Sequence, residues 1–253
     1  DKKNFDVILL TTNENYKKLF KQAKDLNCRN LIIYNQKKYI KSIILNKNKK
    51  LKIYNKTEDF IKNLKKKVDY TMSSIGGING LEPTLEAIKF SKNIAIANKE
   101  SIICGWNLIK ANLKKYNTKF IPVDSEHFSI WTLIKDYKFS KIEKVFITAS
   151  GGPFLNLEIP KFKNIIPKNA IKHPNWNMGK KISIDSATLM NKVFEVIEAQ
   201  RIFDIPFSKF EIIIHPDSYV HAIVKFMNGM INKFNIITIN CLSFHSISNC
   251  SVC

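Results

Sequence analysis

The stretch NIAIANKESIICGWNLIKANLKKYNTKFIPVDSEH, residues 93–127, decides the fold. Residues 93–97 form a short apolar run typical of a buried strand, residues 101–116 carry apolar side chains at three- and four-residue spacing, and residues 119–123 form a second short run. A strand, a helix and a strand in this order are typical of two parallel strands joined by a helical crossover. The segment therefore predicts an α/β fold with a parallel sheet.

The same alternation of strands and helices extends through the first half of the chain. Short β-rich runs predict further strands at residues 5–10, 30–34, 51–54 and 70–74. Apolar side chains at helical spacing predict further helices at residues 16–26, 58–66 and 82–91. This order of elements indicates a Rossmann-like domain, which we place at residues 1–122.

The second half has a less regular pattern, which predicts an α+β domain over residues 123–230. Helices are predicted at residues 125–135 and 186–203, and strands at residues 144–148, 210–214, 219–226 and 231–239. Asn228-Gly229, between the last two strands, is typical of a two-residue hairpin turn.

The composition is that of a globular but strongly basic protein. The 253 residues are 45% hydrophobic, and 41 Lys and Arg against 21 Asp and Glu give a net charge of +20. Such a charge is typical of proteins that bind nucleic acids or anionic membranes. Arg, which is preferred for planar phosphate and base-edge contacts, occurs only at Arg29 and Arg201. We therefore expect neither nucleic acid nor membrane as the main partner, and keep a basic nucleic-acid-binding protein as an alternative.

The cysteines and the lack of targeting signals indicate a cytoplasmic protein. No apolar run approaches the length of a membrane span, and the first residues lack a charged-then-apolar signal pattern. Five cysteines, an odd number, are typical of a reduced protein. The last three form the spacing C-x3-H-x4-C-x2-C with a histidine, so a tetrahedral Zn²⁺ on Cys241, His245, Cys250 and Cys253 is an alternative use of them.

Three acidic residues are candidates for a metal site. Asp124 and Glu126 stand two residues apart just after a predicted strand, where extended backbone would direct both carboxylates to one side. Hard oxygen ligands of this kind suit Mg²⁺ or Mn²⁺. Glu195 lies on a predicted helix among apolar neighbours, where a carboxylate is either paired or bound to a cation. The alternative is a solvated acidic strand end and an exposed charged helix face.

Two segments are candidates for binding an anion. Ser150-Gly151-Gly152 follows a predicted strand, and glycines there allow several backbone N–H groups to point at one anion. Ser186 is predicted at the start of a helix, where unpaired N–H groups favour a phosphate. Asn191 and Lys192 follow on the same predicted helix, and Lys192 supplies a positive charge.

A cofactor is expected at the carboxyl ends of the parallel strands. Asn98-Lys99-Glu100 follows the strand at residues 93–97 and opens a helix, which is the crevice where such sheets bind cofactors. A simple helix cap by Asn98 is compatible with this role. Residues 173–179 read as a loop because Pro174 and Gly179 interrupt regular structure.

Three motifs in this chain resemble the 1-deoxy-D-xylulose 5-phosphate reductoisomerase family. They are VDSEH at residues 123–127, TASGGPF at residues 148–154 and HPNWNMGKKISIDSATLMNKVFEVIEA at residues 173–199, and the resemblance extends over residues 5–229. It implies NADPH-dependent isomerisation and reduction of 1-deoxy-D-xylulose 5-phosphate to 2-C-methyl-D-erythritol 4-phosphate in non-mevalonate isoprenoid biosynthesis. It also implies a homodimer that uses Mg²⁺ or Mn²⁺, with Co²⁺ as a further possibility.

The resemblance implies roles for individual residues. It assigns the metal to Asp124, Glu126 and Glu195, with Lys99 as a further catalytic residue. It assigns the sugar phosphate to Ser125, Glu126, Ser150, His173, Trp176, Ser186, Asn191 and Lys192, with Trp176 on a lid that closes over the substrate. It assigns NADPH to Asn15, Asn98, Glu100, Met178 and Gly179.

Both ends of the chain depart from the family pattern. The strand at residues 5–10 lacks a following glycine loop, so we expect the family's first strand and its loop before Asp1; Asn13-Glu14-Asn15 stands where the family has a glycine and a basic pair. Beyond Gly229 the resemblance stops, so residues 231–253 are expected to be an aberrant tail without the family's helical C-terminal domain. We expect the chain as given to be inactive, and a phosphate-binding relative without catalysis is the remaining alternative.

Overall fold

The structure is a computed structural model that describes residues 5–46, 50–137, 141–171 and 180–235. Several predicted site residues lie outside these ranges, namely His173, Trp176, Met178 and Gly179, and so do Cys241, His245, Cys250 and Cys253. Most of the tail at residues 231–253 lies outside them as well. Within the described ranges, no helix has both the length and the apolar composition that crossing a bilayer requires.

The first half is built on parallel strands, as the sequence predicted, but its six strands divide into two sheets instead of forming one. The first sheet has the order β1 (Leu9–Thr12), β2 (Asn30–Ile33) and β3 (Lys52–Tyr54), and the second has the order β4 (Val68–Ser73), β5 (Ser91–Ile96) and β6 (Lys119–Pro122). The helices between the strands are α1 (Tyr16–Asp25), α2 (Gln36–Leu45), α3 (Thr57–Ile61), α4 (Leu81–Phe90) and α5 (Lys99–Lys115). The Rossmann-like alternation of strand and helix is thereby confirmed.

The two parallel sheets share one apolar core. Ile32 on β2 belongs to the same buried cluster as Ile94 and Ile96 on β5, and each of these side chains is at most 2% exposed. Trp106 and Ile109 on α5 complete this cluster. Burial of these residues stabilises the packing of α5 against the sheets.

Three elements of the first half differ from the prediction, and one of them is α3, which ends at Ile61 instead of residue 66. The first strand begins at Leu9 instead of residue 5. Helix α2 was not predicted, although Ile40, Ile43 and Ile44 have helical spacing. These three side chains are 50%, 45% and 66% exposed. This helix begins at an N-cap, Asn35, whose side chain accepts a hydrogen bond from the backbone N–H of Lys38 at 3.1 Å.

The second half combines helices with a mixed four-stranded sheet. Its helices are α6 (Ser125–Ile134), α7 (Pro167–Ala170), α8 (Lys180–Ala187) and α9 (Met190–Phe203). Its strands are β7 (Ile142–Ala149), β8 (Phe210–Ile214), β9 (Val220–Phe226) and β10 (Ile231–Asn235), in the spatial order β10-β9-β7-β8. β7 and β8 are parallel, whereas β9 is antiparallel to both of its neighbours. The hairpin predicted at Asn228-Gly229 joins β9 to β10, and Gly229 has a φ of 83°.

Helices α6 and α9 cover this sheet and also attach it to the first half. Ile130 of α6 and Ala199 of α9 are fully buried against Val145, Ile147 and Val224 of the sheet. Ile202, on the next turn of α9, packs against this core and against the core of the parallel sheets. Helix α9 is therefore held by both halves of the chain.

The helix predicted at residues 186–203 is in fact two helices, α8 and α9. The chain turns between them at Leu189, which has a left-handed φ of 58°. Just before this break, the hydroxyl of Thr188 donates to the carbonyl of Ile184 at 3.0 Å. Thr and Ser side chains compete in this way for backbone groups, which weakens a helix interior. Ser186 consequently lies near the end of α8 and not at a helix start, so that prediction was wrong.

We expect substitution of Ile147 to destabilise the second half far more than substitution of Ile212. The two residues are partners in the register of β7 and β8, but Ile147 is fully buried and Ile212 is 39% exposed. Ile147→Ala should lower the free energy of unfolding by about 2–5 kcal/mol, because it leaves a cavity. Ile212→Ala should lower it by less than about 1 kcal/mol. Urea unfolding measures both, and equal losses would contradict a core centred on β7.

Candidate active site

The candidate active site lies where the parallel strands end and helix α9 meets them. β5 and β6 are hydrogen-bonded neighbours, with Ile96 opposite Pro122. Lys99 follows β5 at the start of α5, and Asp124 follows β6 at the N-cap of α6. The carboxyl ends of parallel strands meet at one edge of a sheet, so these two side chains lie together. Helix α9 adds Glu195 and Glu198 from the second half.

Asp124 and Glu126 converge, although not in the predicted way. Asp124 is the N-cap of α6, and its carboxylate accepts a hydrogen bond from the backbone N–H of Glu126 at 3.4 Å. The two residues therefore span a helix start, and the prediction of extended backbone here was wrong. An N-cap side chain folds back over the first helical turn, which places it beside the next acidic residue. Carboxylate oxygens of Asp124, Glu126 and Glu195 lie within 4.8 Å of one another.

Lys99 joins three of the acidic side chains. Its Nζ contacts Asp124 Oδ2 directly, and lies 3.3 Å from Glu198 Oε2 and 3.7 Å from Glu195 Oε1. Burial alone would lower the pKa of Lys99, but the charges of Asp124, Glu198 and Glu195 raise it above its ordinary value. Lys99 therefore stays protonated and supplies a positive charge in the middle of the site.

Lys192 also joins acidic side chains, on the other side of Glu195. Its Nζ contacts Glu126 Oε1 and lies 2.6 Å from Glu195 Oε2. Although burial opposes ionisation of Glu126, Lys192 and the nearby His221 hold the pKa of this carboxyl well below its usual range. For Glu195, burial and the negative charges of Glu126 and Asp124 outweigh both lysines, so its pKa is raised. Asn191 Nδ2 donates a hydrogen bond to Glu195 Oε1.

The donor set fits a hard divalent cation. Asp124, Glu126 and Glu195 offer oxygen atoms only, which is the preference of Mg²⁺ and Mn²⁺. A second grouping, Asp124 with His127 and Glu198, mixes nitrogen and oxygen donors. We regard the first grouping as the candidate metal site because all of its donors are oxygen atoms. In the second grouping, His127 Nε2 lies 2.9 Å from the carbonyl oxygen of Glu195, which leaves Nδ1 as its available donor.

The glycine loop after β7 lies against the end of α8. Gly151 and Gly152 have left-handed φ values of 88° and 69°. A Cβ atom on Gly152 would lie only 2.9 Å from the carbonyl oxygen of Ser186, so this close approach requires a glycine. The contact brings the Ser150 loop and Ser186, two predicted phosphate-binding segments, to one place.

The described residues predicted to bind a cofactor lie at helix starts. The Asn98 side chain accepts from the backbone N–H of Ser101 at 2.6 Å and donates to the carbonyls of Gly77, at 2.7 Å, and Ile75. Asn98 is only 3% exposed, so it caps α5 and fixes the preceding loop. Asn15 caps α1 by accepting from the backbone N–H of Lys18 at 3.1 Å.

Glu100 links the first half to α8. It lies in the first turn of α5, and its Oε1 is 3.4 Å from Nζ of Lys181. Lys181 also pairs within α8 with Asp185, at 3.1 Å. The contact places Glu100 beside the helix that directly follows residues 172–179.

Sequence reasoning missed three residues of the site: Glu198, His127 and His221. Glu198 was not among the predicted site residues, yet it is 1% exposed and lies 3.3 Å from Lys99. Its position three residues after Glu195, on a largely apolar helix, was the available signal. His127 is 1% exposed, and His221 Nδ1 lies 3.7 Å from Glu126 Oε1. Their contacts depend on tertiary packing, which the sequence does not display.

Comparison with known proteins identifies close relatives of both halves. A family model described as 1-deoxy-D-xylulose 5-phosphate reductoisomerase matches residues 1–105, and one described as the C-terminal domain of that enzyme matches residues 120–203. The 1-deoxy-D-xylulose 5-phosphate reductoisomerase of Pelagibacter ubique (strain HTCC1062) is 59% identical over 232 residues, which make up 91% of this chain and 60% of that protein.

Solved structures give the same result. The 1-deoxy-D-xylulose 5-phosphate reductoisomerase from Zymomonas mobilis in complex with NADPH matches with a TM-score of 0.81 at 34% identity, covering 94% of this chain and 62% of that one. A DOX-P reductoisomerase in complex with NADPH, fosmidomycin and magnesium matches with a TM-score of 0.79 at 32% identity. The match covers 92% of this chain and 60% of that one.

The matches include the residues of the candidate site. Lys99 falls within the first matched segment, and Asp124, Glu126 and Glu195 fall within the second. The chain spans about 60% of the length of the curated relatives that it matches. Matches at this level of identity, over both halves and the site, leave one assignment: the chain belongs to the 1-deoxy-D-xylulose 5-phosphate reductoisomerase family.

Proposed function

We propose that the whole protein converts 1-deoxy-D-xylulose 5-phosphate into 2-C-methyl-D-erythritol 4-phosphate, by NADPH-dependent isomerisation and reduction, in the cytoplasm. The observation that carries this proposal is the convergence of Asp124, Glu126 and Glu195 between two lysines. Family membership supports the same reaction. The free thiols of Cys28 and Cys104 are consistent with a reducing compartment.

We propose Asp124, Glu126 and Glu195 as the ligands of Mg²⁺, Mn²⁺ or Co²⁺. Such an ion, when bound, acts as a Lewis acid that stabilises negative charge on substrate oxygens. Ser125 Oγ donates to Glu126 Oε2 at 2.6 Å and so orients this ligand. Lys99 and Lys192 flank the ligands and supply further positive charge where an oxyanion would develop.

We propose that the substrate phosphate binds where the glycine loop meets Ser186. Ser150, Ser186, Asn191 and Lys192 supply its donors, and Lys192 also supplies a positive charge. Ser125 and Lys99 contact the sugar, together with His173 and Trp176. NADPH occupies the crevice at Asn98, Glu100 and Asn15, with Met178 and Gly179 toward the nicotinamide. The neighbours solved with NADPH support this cofactor.

Removal of one metal ligand tests the proposed metal site. We expect Glu195→Gln to weaken Mn²⁺ binding by about 100-fold, because loss of even an outer-shell partner costs about 10–100-fold. The same substitution keeps the side-chain shape and removes a charge that burial disfavours, so the unfolding free energy should fall by less than about 1 kcal/mol. Calorimetric titration with MnCl₂ and urea unfolding measure the two effects, and turnover of the intact protein should fall with the metal affinity.

Glu143→Gln is the matched control for this experiment. Glu143 pairs with Lys225 at 2.5 Å, and both side chains are 37% exposed. The control should bind Mn²⁺ as the unchanged chain does. Unchanged Mn²⁺ affinity in Glu195→Gln would remove Glu195 from the ligand set.

Nucleic-acid binding that weakens steeply with salt, with no response to sugar phosphate, would instead favour a basic nucleic-acid-binding protein.

We also propose that the protein is a homodimer that pairs through β8. Among the described residues this strand forms an edge of the mixed sheet, and Ile213 and Ile214 are 37% and 42% exposed. An exposed apolar edge strand favours pairing with another strand. Two identical edges can pair antiparallel about a two-fold axis, which gives a closed dimer.

A charge on the β8 edge tests the proposed dimer. We expect Ile213→Lys to shift the protein to monomer, because the charge would have to be buried in the interface. The control is Ile231→Lys on β10, the strand at the opposite edge, where Ile231 is 61% exposed. Light scattering after size exclusion gives both masses. A dimer that persists in Ile213→Lys but dissociates in Ile231→Lys would show that the interface lies on β10 and would contradict the proposed pairing through β8.

A further inference from the structure

We propose that Glu198 is a positioning residue: it holds the Lys99 ammonium aside when a divalent cation occupies the carboxylates of Asp124 and Glu195. This inference rests on the metal site proposed above. It assigns a role to a buried acidic residue that lies outside the proposed ligand set.

The first observation is that Lys99 uses carboxylate oxygens that the cation also needs. Its Nζ contacts Asp124 Oδ2 and lies 3.7 Å from Glu195 Oε1. A divalent ion bound by these two carboxylates would lie within a few ångströms of the ammonium group. Like charges at such a distance repel strongly in a site shielded from water. The ammonium and the ion therefore compete for the same position.

The second observation is that Glu198 offers the ammonium another partner. Glu198 Oε2 lies 3.3 Å from Lys99 Nζ, and its side chain is 2% exposed. Glu198 stands one helical turn after Glu195 on α9, so a short movement of the ammonium toward it leads away from the proposed ligands. The Lys99 side chain is 23% exposed, so without such a partner an ammonium that lost Asp124 would be only partly compensated by solvent.

The third observation is that Lys99 has room for this movement. A cavity of about 110 Å³ borders Lys99, Asp124, His127 and Glu198. This volume exceeds the roughly 30 Å³ that one water molecule occupies in the liquid, and an ammonium group has a similar size. Glu198, Asp124 and His127 line this cavity, whereas Glu126, Glu195 and Lys192 do not. Apart from Lys99 itself the rest of the lining is apolar, so a displaced ammonium would stay beside Glu198.

Lys192 does not have this arrangement. Its two carboxylate partners, Glu126 and Glu195, both belong to the proposed ligand set. Its release therefore depends on another anion, for which the substrate phosphate is the proposed candidate. Lys99 is the lysine that can yield to the cation before substrate binds.

The competing explanation is that Glu198 binds the cation itself, with Asp124 and His127. The two explanations differ in whether Glu198 acts through Lys99. If Glu198 only holds the lysine, it should no longer affect Mn²⁺ affinity once Lys99 is replaced by Met. If Glu198 ligates the ion, it should affect Mn²⁺ affinity in the Lys99→Met variant as well.

A double-mutant cycle on the full chain separates the two explanations. Calorimetric titration with MnCl₂, without substrate or NADPH, is applied to the unchanged chain, Glu198→Gln, Lys99→Met and the double variant. We expect Lys99→Met to bind Mn²⁺ about tenfold more tightly and Glu198→Gln about tenfold more weakly, as for charged neighbours in contact. In the Lys99→Met background, Glu198→Gln should change the affinity less than about twofold.

Each other outcome overturns the proposal. Equal weakening by Glu198→Gln in both backgrounds would mean that Glu198 acts on the ion directly. Weaker binding in Lys99→Met would mean that the ammonium does not compete with the ion. No Mn²⁺ binding by the unchanged chain would overturn the proposed metal site and this inference with it.

Two further variants keep the test interpretable. If thermal unfolding shows that Glu198→Gln does not fold, Glu198→Asp replaces it, because the shorter carboxylate withdraws from Lys99 while keeping its charge. We then expect a smaller weakening that again vanishes in the Lys99→Met background, and a weakening that persists there would overturn the proposal. Glu143→Gln should leave the affinity unchanged in both backgrounds, as an exposed charge outside the site.

Discussion

Four carboxyl groups lie around two lysine ammonium groups at the junction of the two halves, and the geometry of the candidate active site depends on this arrangement. Glu126, Glu195 and Glu198 are 7%, 2% and 1% exposed. Buried charges are tolerated only when they are paired, so Lys99 and Lys192 are needed to keep the carboxyl groups together. Because α5, α6 and α9 each contribute members, the charges align the parallel sheets with the mixed sheet.

The charge balance of this cluster explains why it suits a divalent cation. Asp124, Glu126, Glu195 and Glu198 face two lysines, so full ionisation would leave two negative charges. Burial raises the pKa of Glu195 and of Glu198, which indicates that the two lysines alone do not satisfy all four groups. A further cation would complete the ionisation and release protons as it binds. The site therefore favours a metal ion for two reasons: its carboxylates exceed its lysines in charge, and its donor atoms are oxygens.

The sequence predicts more of the fold and of the ligand types than of their geometry. The strand-helix-strand pattern at residues 93–127 placed Lys99 and Asp124 at neighbouring strand ends, because β5 and β6 are consecutive parallel strands. The convergence of Glu195 with them depends on how α9 packs between two cores, which no local pattern records. The break at Leu189 was missed because the apolar pattern continues across it and does not record the left-handed backbone there. Helix α2 was missed although its isoleucines have helical spacing.

The most direct test of this account is anomalous X-ray scattering from crystals of the chain grown with Mn²⁺. We expect one strong anomalous peak about 2.0–2.3 Å from carboxylate oxygens of Asp124, Glu126 and Glu195, the distance typical of small hard cations on oxygen ligands. In the electron density of the same crystals, the Lys99 ammonium should lie against Glu198. An anomalous peak on Asp124, His127 and Glu198, or the absence of any peak at the cluster, would contradict the proposed metal site.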